Sequence, residues 1–177
     1  LMKDSRAVLS NHDVNKKRVG NGKNPANMIW LWGQGKKPSI PLFYKTFGLK
    51  CAVISAVDLI KGLASIMGMD VINVPGATGN IDTDYDAKAE YAIDAFKNYD
   101  MVVVHIEAPD EMGHNGNAKE KVKAIENIDK KIIGPILNFL KSSNNFRLLA
   151  LPDHYTPIAL RTHSREPVPF AMYGSGI

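Results

Sequence analysis

Residues 82–106 read DTDYDAKAEYAIDAFKNYDMVVVHI, and this stretch decides the fold class. Apolar side chains recur at spacings of four and three from Tyr85 to Tyr99, which predicts an amphipathic helix with one apolar stripe. One of the three polar residues that open the stretch can cap this helix, because a short side-chain oxygen accepts a free first-turn N–H. Residues 101–106 then form an apolar run broken only by His105, which is typical of a strand covered on both faces.

Strand and helix patterns alternate on either side of this stretch. Helices are predicted at 57–67 and 118–140, and strands at 51–55, 70–74, 146–151 and 168–173. This alternation predicts an α/β domain with a largely parallel sheet flanked by helices. The first 45 residues are punctuated by Asn, Gly and Pro, and we expect them to be irregular.

The composition is that of an ordinary globular domain. The chain has 177 residues, of which 45% are hydrophobic and 23% charged, so disordered, collagen-like and coiled-coil classes are excluded. Charges interrupt every apolar run before it reaches the roughly 20 residues that span a bilayer. The first six residues show no secretory signal pattern. The lone Cys51 lies in an apolar run, which predicts a buried thiol in a cytoplasmic protein.

Charge is distributed unevenly along the chain. Residues 1–50 contain ten Lys or Arg and two Asp, a balance of +8, whereas residues 51–177 contain twelve basic against sixteen acidic residues. The basic part lacks a regular basic helix with interleaved aromatic residues, so we expect no nucleic acid partner. Two interpretations remain for it: a solvated face, or a surface that attracts a small phosphorylated molecule.

Acids and imidazoles gather in the loops beside predicted strands. Asp110 and His114 follow the strand of the opening stretch, Asp153 and His154 follow the next predicted strand, and His163 precedes the last one. Open α/β sheets bind ligands beyond the carboxyl ends of their strands. Carboxylate and imidazole donors together suit Zn²⁺, Mn²⁺ or Fe²⁺, and carboxylates favour the harder Mn²⁺ and Mg²⁺. We therefore predict a divalent metal site, with ordinary caps and solvated turn residues as the alternative.

Two further motifs bear on phosphate chemistry. The chain has no Gly-rich loop ending in Gly-Lys-Ser or Gly-Lys-Thr, which excludes a P-loop NTPase. Gly76-Ala-Thr-Gly79 follows a predicted strand and would either cradle a phosphate or form only a turn. No Gly-x-Ser-x-Gly elbow is present, so we nominate no nucleophile in this chain.

Several of these segments together carry a family resemblance. The motifs with metal-ligand residue types are Pro109-Asp-Glu-Met-Gly-His114, Asp153-His-Tyr-Thr-Pro157, and His163 before Pro167-Val-Pro-Phe170. The flanking segments are Asn24–Asn27, Trp30–Gly35, Ile54–Asp58 with Lys61-Gly62, and Val74–Gly79. Together they resemble the archaeal-type branch of the cofactor-independent phosphoglycerate mutases, within the alkaline phosphatase superfamily of metalloenzymes. The resemblance covers nearly the whole chain.

The resemblance implies a centre with two divalent metal ions. Asp110, His114 and His163 resemble the ligands of one ion, and Asp153 and His154 resemble part of the ligand set of the other. Mn²⁺ or Mg²⁺ is implied, with Zn²⁺ and Co²⁺ as further options. The family's nucleophilic Ser and a remaining Asp ligand belong to a segment that precedes residue 1 in full-length members. We therefore expect a carboxy-terminal fragment, with an alkaline-phosphatase-like fold that is incomplete and no catalytic nucleophile of its own.

Domain roles also follow from the resemblance. Residues 1–45 correspond to the end of an inserted substrate domain and its return linker, and residues 46–177 to the metal-binding half of the phosphatase-like catalytic domain. Lys61 is the implied contact to the substrate phosphate.

The implied activity is that of an isomerase that interconverts 3-phosphoglycerate and 2-phosphoglycerate in glycolysis and gluconeogenesis, through a phosphoserine whose Ser lies outside this chain. The chain alone is expected to be inactive. One alternative is a metal-dependent phosphatase or phosphotransferase of the same superfamily acting on another small phosphate ester. An alternative of another class is a non-catalytic metal-binding or assembly domain. The sequence leaves the oligomeric state open.

Overall fold

The computed structural model describes residues 1–143 and 145–176. The chain divides into two compact units, the first comprising Leu1–Ser39 and the second beginning at Ile40. This division lies near the predicted one, while the roles assigned to residues 1–45 and 46–177 stay predictions. Within the described residues, no helix combines the length and apolar character that crossing a bilayer requires.

The first unit contains two helices, so the expectation that this part of the chain is irregular is wrong. Helix α1 spans Met2–Leu9 and helix α2 spans Asp13–Gly20. The buried Asn15 of α2 donates from its amide to the carbonyl of Leu9 at 2.6 Å and accepts from the N–H of Ala26 at 2.8 Å. Asn generally disfavours a helix, because its side chain competes for backbone hydrogen bonds. The Asn15 side chain instead bonds to the backbone of the segments before and after α2.

A parallel sheet lies in the second unit and confirms the predicted α/β class. Its strands are β1 (Cys51–Ile54), β2 (Asp70–Ile72) and β3 (Met101–Val104), in the order β2-β1-β3. Val53 of β1 pairs with Val71 on one side and with Val103 on the other. Every residue of β1 is buried, as expected of a central strand covered on both faces.

Helices pack against this sheet. The helices of the second unit are α3 (Phe43–Phe47), α4 (Asp58–Ile66), α5 (Tyr85–Ala95), α6 (Ala108–His114), α7 (Ala118–Ile128) and α8 (Gly134–Leu140), and α4 and α5 contact the strands directly. Asp84 caps α5 as predicted, since its Oδ1 accepts the N–H of Ala87 at 2.9 Å. The core joins Ile54 of β1 to Ala89 and Ala92 of α5. The predicted apolar stripe of α5 is therefore the face that packs inward.

The prediction of a helix over 118–140 is confirmed, with a π-helical segment, Asp129–Ile133, between α7 and α8. Pro135 follows this segment directly, and a proline ring crowds the carbonyl four residues earlier while offering no N–H. A wider π-helical turn accommodates such a proline without ending the helix. Ile132, Ile136 and Leu140 consequently remain buried in the same core.

The last two strands form a separate antiparallel pair. β4 (Arg147–Ala150) pairs with β5 (Ala171–Gly174), and Leu148 lies opposite Tyr173. Both strand predictions are confirmed, but in the described chain these strands do not extend the parallel sheet. The connection between them is a loop, and an antiparallel return needs no crossover helix. An isolated antiparallel bridge between Tyr155 and Ser164 brings the two sides of this loop together. Residues 153–156 therefore lie alongside His163.

Candidate metal centre

Helix α6 places two of the predicted ligands on one face. Asp110 and His114 are four residues apart, the spacing at which helical side chains lie one above the other. Atom Nε2 of His114 lies 3.3 Å from Oδ2 of Asp110. Both side chains are half-buried, and α6 begins a few residues after β3, so they lie at the carboxyl end of a sheet strand as predicted.

His163 completes a triangle of donor atoms. Its Nε2 lies 3.2 Å from Nε2 of His114 and 3.5 Å from Oδ1 of Asp110. Ligands held about 2.0–2.2 Å from one metal ion lie roughly 3–3.5 Å from each other. The two imidazole nitrogens thus each face one of the two Asp110 oxygens, and one donor atom from each of the three residues lies within 4.8 Å of the others, a grouping that a common metal ion requires. His163 is exposed, so the triangle is open to solvent on one side.

The hydrogen bond on the other ring nitrogen of His114 suits a metal ligand. Its Nδ1–H donates to the backbone carbonyl oxygen of Arg161 at 2.9 Å. Because the proton of a neutral imidazole is then on Nδ1, Nε2 carries a lone pair directed at the triangle. A histidine that binds a metal is commonly fixed in its tautomer by such a hydrogen bond on the other ring nitrogen.

Asp153 and His154 lie beside this triangle. The imidazole ring centroids of His154 and His163 are 3.9 Å apart. Nε2 of His154 lies 3.5 Å from Oδ2 of Asp153, while Oδ1 of Asp153 accepts the backbone N–H of His154 at 3.0 Å. The pair thus offers one imidazole nitrogen and one carboxylate oxygen at a spacing suited to a shared cation. The structure brings all five predicted ligands into one cluster.

Thr156 connects the two groups of donors. Its hydroxyl donates to Oδ1 of Asp110, and the hydroxyl oxygen of Thr156 lies 3.4 Å from Nδ1 of His154. The residue is 3% exposed. Sequence reasoning did not select it, because a lone Thr after an Asp-His pair carries no signal of its own.

Sequence reasoning also missed three polar residues at the strand ends. His105 follows β3, Ser55 follows β1, and Oγ of Ser55 lies 3.1 Å from Nδ1 of His105. Burial lowers the pKa of His105, an effect that the nearby Asp153 opposes. Burial raises the pKa of Glu107, and Glu111 adds to that shift. His105 and Ser55 were missed because the predicted strands, 101–106 and 51–55, include them, whereas β3 ends at Val104 and β1 at Ile54. Glu107 lies beyond its predicted strand, where the rule for ligands could have found it.

The loop Gly76–Gly79 forms a turn that packs on Glu107. The N–H of Thr78 donates to the hydroxyl of Thr83 at 3.0 Å, so this donor is satisfied within the loop. The loop lies close to the Glu107 carboxylate, since a Cβ at Gly79 would overlap one of its oxygens. These contacts favour the turn over the phosphate cradle.

Lys61 lies on α4, which follows β1. Its Nζ is 3.8 Å from Oδ1 of Asp58, an i,i+3 pair on the same helix. Within the described residues, the side chains in contact with the five predicted ligands do not include Lys61. Its predicted contact with a substrate phosphate therefore stays a prediction.

Comparison with known proteins agrees with the chemistry of this cluster. The model of the Metalloenzyme superfamily matches residues 2–177. The chain is 53% identical over 178 residues to the 2,3-bisphosphoglycerate-independent phosphoglycerate mutase of Methanothrix thermoacetophila, a match that covers 100% of this chain and 45% of that protein. It is 49% identical to the probable 2,3-bisphosphoglycerate-independent phosphoglycerate mutase of Geobacter sulfurreducens, over 98% of this chain and 43% of that protein.

Two solved structures share the fold. A protein of Pyrococcus horikoshii aligns with a TM-score of 0.87 at 36% identity, over 99% of this chain and 46% of that one. The cofactor-independent phosphoglycerate mutase of Thermoplasma acidophilum aligns with a TM-score of 0.55 at 29% identity, over 99% of this chain and 41% of that one.

The chain therefore spans under half the length of the curated relatives it matches. These relatives are named as mutases, which are isomerases, and the resemblance drawn from the motifs is confirmed. The chain belongs to the Metalloenzyme superfamily, in which its relatives bear the name of 2,3-bisphosphoglycerate-independent phosphoglycerate mutase.

Proposed function

We propose that this chain supplies the metal-binding part of a phosphoglycerate mutase that interconverts 3-phosphoglycerate and 2-phosphoglycerate. The observation that carries the proposal is the donor triangle of Asp110, His114 and His163, in which the two Nε2 atoms lie 3.2 Å apart and face the two Asp110 carboxylate oxygens at 3.3 and 3.5 Å. Structural metal sites are closed by four protein ligands, whereas catalytic sites keep a position open. Three donors on an exposed triangle fit the catalytic type.

Two divalent ions are proposed for the whole protein. Asp110, His114 and His163 would hold one, and Asp153 and His154 would contribute to the other. Carboxylates suit Mn²⁺ and Mg²⁺, while imidazoles suit Zn²⁺ and other transition metals. Because three of the five donors are imidazoles, Mn²⁺ is favoured over Mg²⁺ for this set. Such ions would neutralise the charge on a phosphoryl group in transfer.

The proposed reaction proceeds through a phosphoserine on a Ser outside this chain. Its Oγ forms a bond to phosphorus, the bond from phosphorus to the C3 oxygen of the glycerate breaks, and that oxygen takes the proton that the Ser releases. After the glycerate reorients, its C2 oxygen takes the phosphoryl group back and the Ser regains a proton. In this reaction the residues of the cluster would position their donor atoms for the metal ions. The solvent-facing side of the triangle would stay open to the phosphoryl group.

Further roles are proposed for two parts of the chain outside the cluster. Lys61 would contact the substrate phosphate, and the strongly basic residues 1–45 would form the end of a substrate domain and its return linker, which the +8 balance of residues 1–50 supports. Glycolysis and gluconeogenesis are the corresponding pathways. The cytoplasm is the proposed compartment, supported by the buried free thiol of Cys51.

A chimera tests this proposal. In it, the present chain replaces the matching residues of the Methanothrix thermoacetophila relative, and ³¹P NMR follows 3-phosphoglycerate in the presence of Mn²⁺. We expect conversion to 2-phosphoglycerate that falls by about 100-fold or more in Asp110→Ala. Asp94→Ala, an exposed carboxylate paired with Lys97 on the surface, is the matched control and should convert substrate normally.

The outcomes separate the alternatives. The chain alone should give no conversion, and turnover by it would refute the need for an outside Ser. Release of inorganic phosphate without 2-phosphoglycerate would assign a phosphatase instead. Equal activity of Asp110→Ala and the parent chimera would refute the metal centre. In the same assay, Lys61→Met should raise the KM for 3-phosphoglycerate without weakening Mn²⁺ binding.

A further inference from the structure

We propose that the hydroxyl of Thr156 is a positioning group that couples the two ligand sets, so that its removal weakens metal binding at both. This inference rests on the proposed function, since it assumes that the clustered donors bind metal ions. Thr156 is not itself a proposed ligand or a catalytic residue.

The first part of the argument is the contact with Asp110. The Thr156 hydroxyl donates to Oδ1 of Asp110, whose other oxygen, Oδ2, faces Nε2 of His114 at 3.3 Å. A carboxylate on a helix can rotate about its side-chain bonds, and a hydrogen bond to one oxygen fixes the direction of the other. Thr156 therefore sets the orientation of the carboxylate that the donor triangle shares.

The second part is the contact with His154. A hydroxyl has one proton, and that proton is directed to Asp110, so toward His154 the Thr156 oxygen can only accept. Nδ1 of His154 lies 3.4 Å from this oxygen and 3.4 Å from the carbonyl oxygen of Tyr155. Two acceptors around Nδ1 favour the tautomer protonated there. The lone pair is then on Nε2, the atom that faces Oδ2 of Asp153 at 3.5 Å.

The third part is that Thr156 is held firmly. Its side chain is buried, and its backbone carbonyl accepts a hydrogen bond from Nζ of Lys121 on α7 at 2.7 Å. Gly113 of α6 permits this approach, since a Cβ there would lie 2.5 Å from the Thr156 carbonyl oxygen and 2.9 Å from Nζ of Lys121. The hydroxyl thus has a fixed position relative to both ligand sets, which a positioning group requires.

Two variants isolate the hydroxyl. Thr156→Val keeps the branched shape and loses the hydroxyl, and Thr156→Ser keeps the hydroxyl and loses the methyl group. Calorimetric titration of the 177-residue chain with MnCl₂ should show affinity reduced by about 10- to 100-fold in Thr156→Val, at every site that the parent chain binds. Thr156→Ser should restore the affinity to within about threefold of the parent. Thermal unfolding of each metal-free variant confirms that it is folded.

A readout without metal accompanies the titration. Long-range ¹H–¹⁵N NMR of the metal-free chain reports which ring nitrogen of His154 carries the proton. We expect Nδ1 in the parent and in Thr156→Ser, and a shift toward Nε2 in Thr156→Val. A purely structural Thr would change the unfolding temperature without moving this tautomer.

The two proposals fail in different ways. If the parent chain binds no Mn²⁺, the proposed metal function fails for this chain, and the His154 tautomer alone decides the role of Thr156. If the parent binds Mn²⁺ and Thr156→Val binds it equally well with an unchanged tautomer, the positioning role is overturned. If only the affinity of the Asp110 set falls, the coupling is overturned.

Discussion

The backbone carbonyl of Arg161 accepts a hydrogen bond from Nδ1 of His114 at 2.9 Å, and Arg161 has a φ of +54°. A non-glycine residue in the left-handed region costs about 1–3 kcal/mol and persists only where its surroundings hold it there. The Arg161 guanidinium lies against Gly116, which has a φ of +69° and no Cβ to obstruct it. This arrangement directs a carbonyl at a predicted ligand, and the first two predictions concern residues that support the cluster in this way.

Gly116→Ala should weaken metal binding although Gly116 contacts no predicted ligand directly in the described structure. Gly116 follows His114 by two residues and has a φ of +69°, a conformation that disfavours any residue with a side chain, so Ala would shift the backbone beside this predicted ligand. We expect Mn²⁺ affinity lower by about tenfold and a free energy of unfolding lower by about 1–3 kcal/mol, measured by calorimetry and urea denaturation. Gly62→Ala, on α4 with open space around it, is the control and should raise stability by about 0.5–1 kcal/mol. Unchanged Mn²⁺ affinity in Gly116→Ala would show that the backbone conformation two residues after His114 does not affect metal binding.

Two replacements of Arg161 distinguish its backbone from its side chain. Arg161→Asn and Arg161→Val both lose the guanidinium, but Asn tolerates the left-handed region and a β-branched Val does not. We expect Mn²⁺ affinity within about threefold of the parent for Asn and reduced by about tenfold or more for Val. Equal affinities in the two variants would show that the conformation of residue 161 does not position His114.

The stability of the metal-free protein should fall in mild acid, partly through His105. Burial lowers the pKa of His105, so below about pH 6.5 the unfolded chain binds a proton that the folded chain does not. Stability contributed by the neutral imidazole is therefore present above pH 6.5 and is lost as the pH drops toward the lowered folded pKa. His105→Asn should reduce the slope of unfolding free energy against pH in this window by at most about 1.4 kcal/mol per pH unit.

Urea denaturation between pH 7.5 and 5, in the presence of a chelator, measures this slope. His12→Asn in the first unit is the matched control, because Asn can also cap α2 as the His12 side chain does. A slope for His105→Asn that equals that of the parent chain would contradict the burial effect on His105.

Ile54 should be a dominant contributor to the stability of the second unit. It is 0% exposed at the end of β1, where its carbonyl also accepts the N–H of His105 at 2.8 Å. Ile54→Ala should lower the free energy of unfolding by about 2–5 kcal/mol and Ile54→Val by about 0.5–1.5 kcal/mol. Leu59→Ala, at a 71% exposed position on α4, should stay within about 0.5 kcal/mol of the parent. A loss for Ile54→Ala no larger than that for Leu59→Ala would be incompatible with the described core.

Local sequence signals account for the elements that were predicted well. The Asp84 cap and the apolar stripe of α5 act within one helix, and the apolar run of β1 directly reflects burial on both faces. The antiparallel pairing of β4 with β5 depends on a long loop between them, which leaves no local pattern. The helix that contains Asn15 was not predicted, because Asn in isolation disfavours a helix. In the folded chain its side chain is satisfied by hydrogen bonds with the backbone of Leu9 and Ala26.

The same division applies to the candidate site. Donor-rich residues such as Asp110 and His163 could be nominated from residue type and from their positions near strands. Thr156 and Arg161 could not be nominated, because the role of each depends on contacts of the folded chain: the Thr156 hydroxyl donates to Asp110, and the Arg161 carbonyl accepts from His114. Such supporting groups are visible only once the chain is folded.

The central claim is that Asp110, His114 and His163 form a metal site within this chain, and Mn²⁺ calorimetry tests it most directly. The parent chain should bind Mn²⁺ with a Kd of about 1 µM or below, and the double variant Asp110→Ala, His163→Ala should lose this binding. A double variant of surface residues with the same chemistry, Asp94→Ala with His12→Ala, should bind as the parent does. Absence of Mn²⁺ binding by the parent chain, or equal binding by the Asp110→Ala, His163→Ala variant, would contradict the claim.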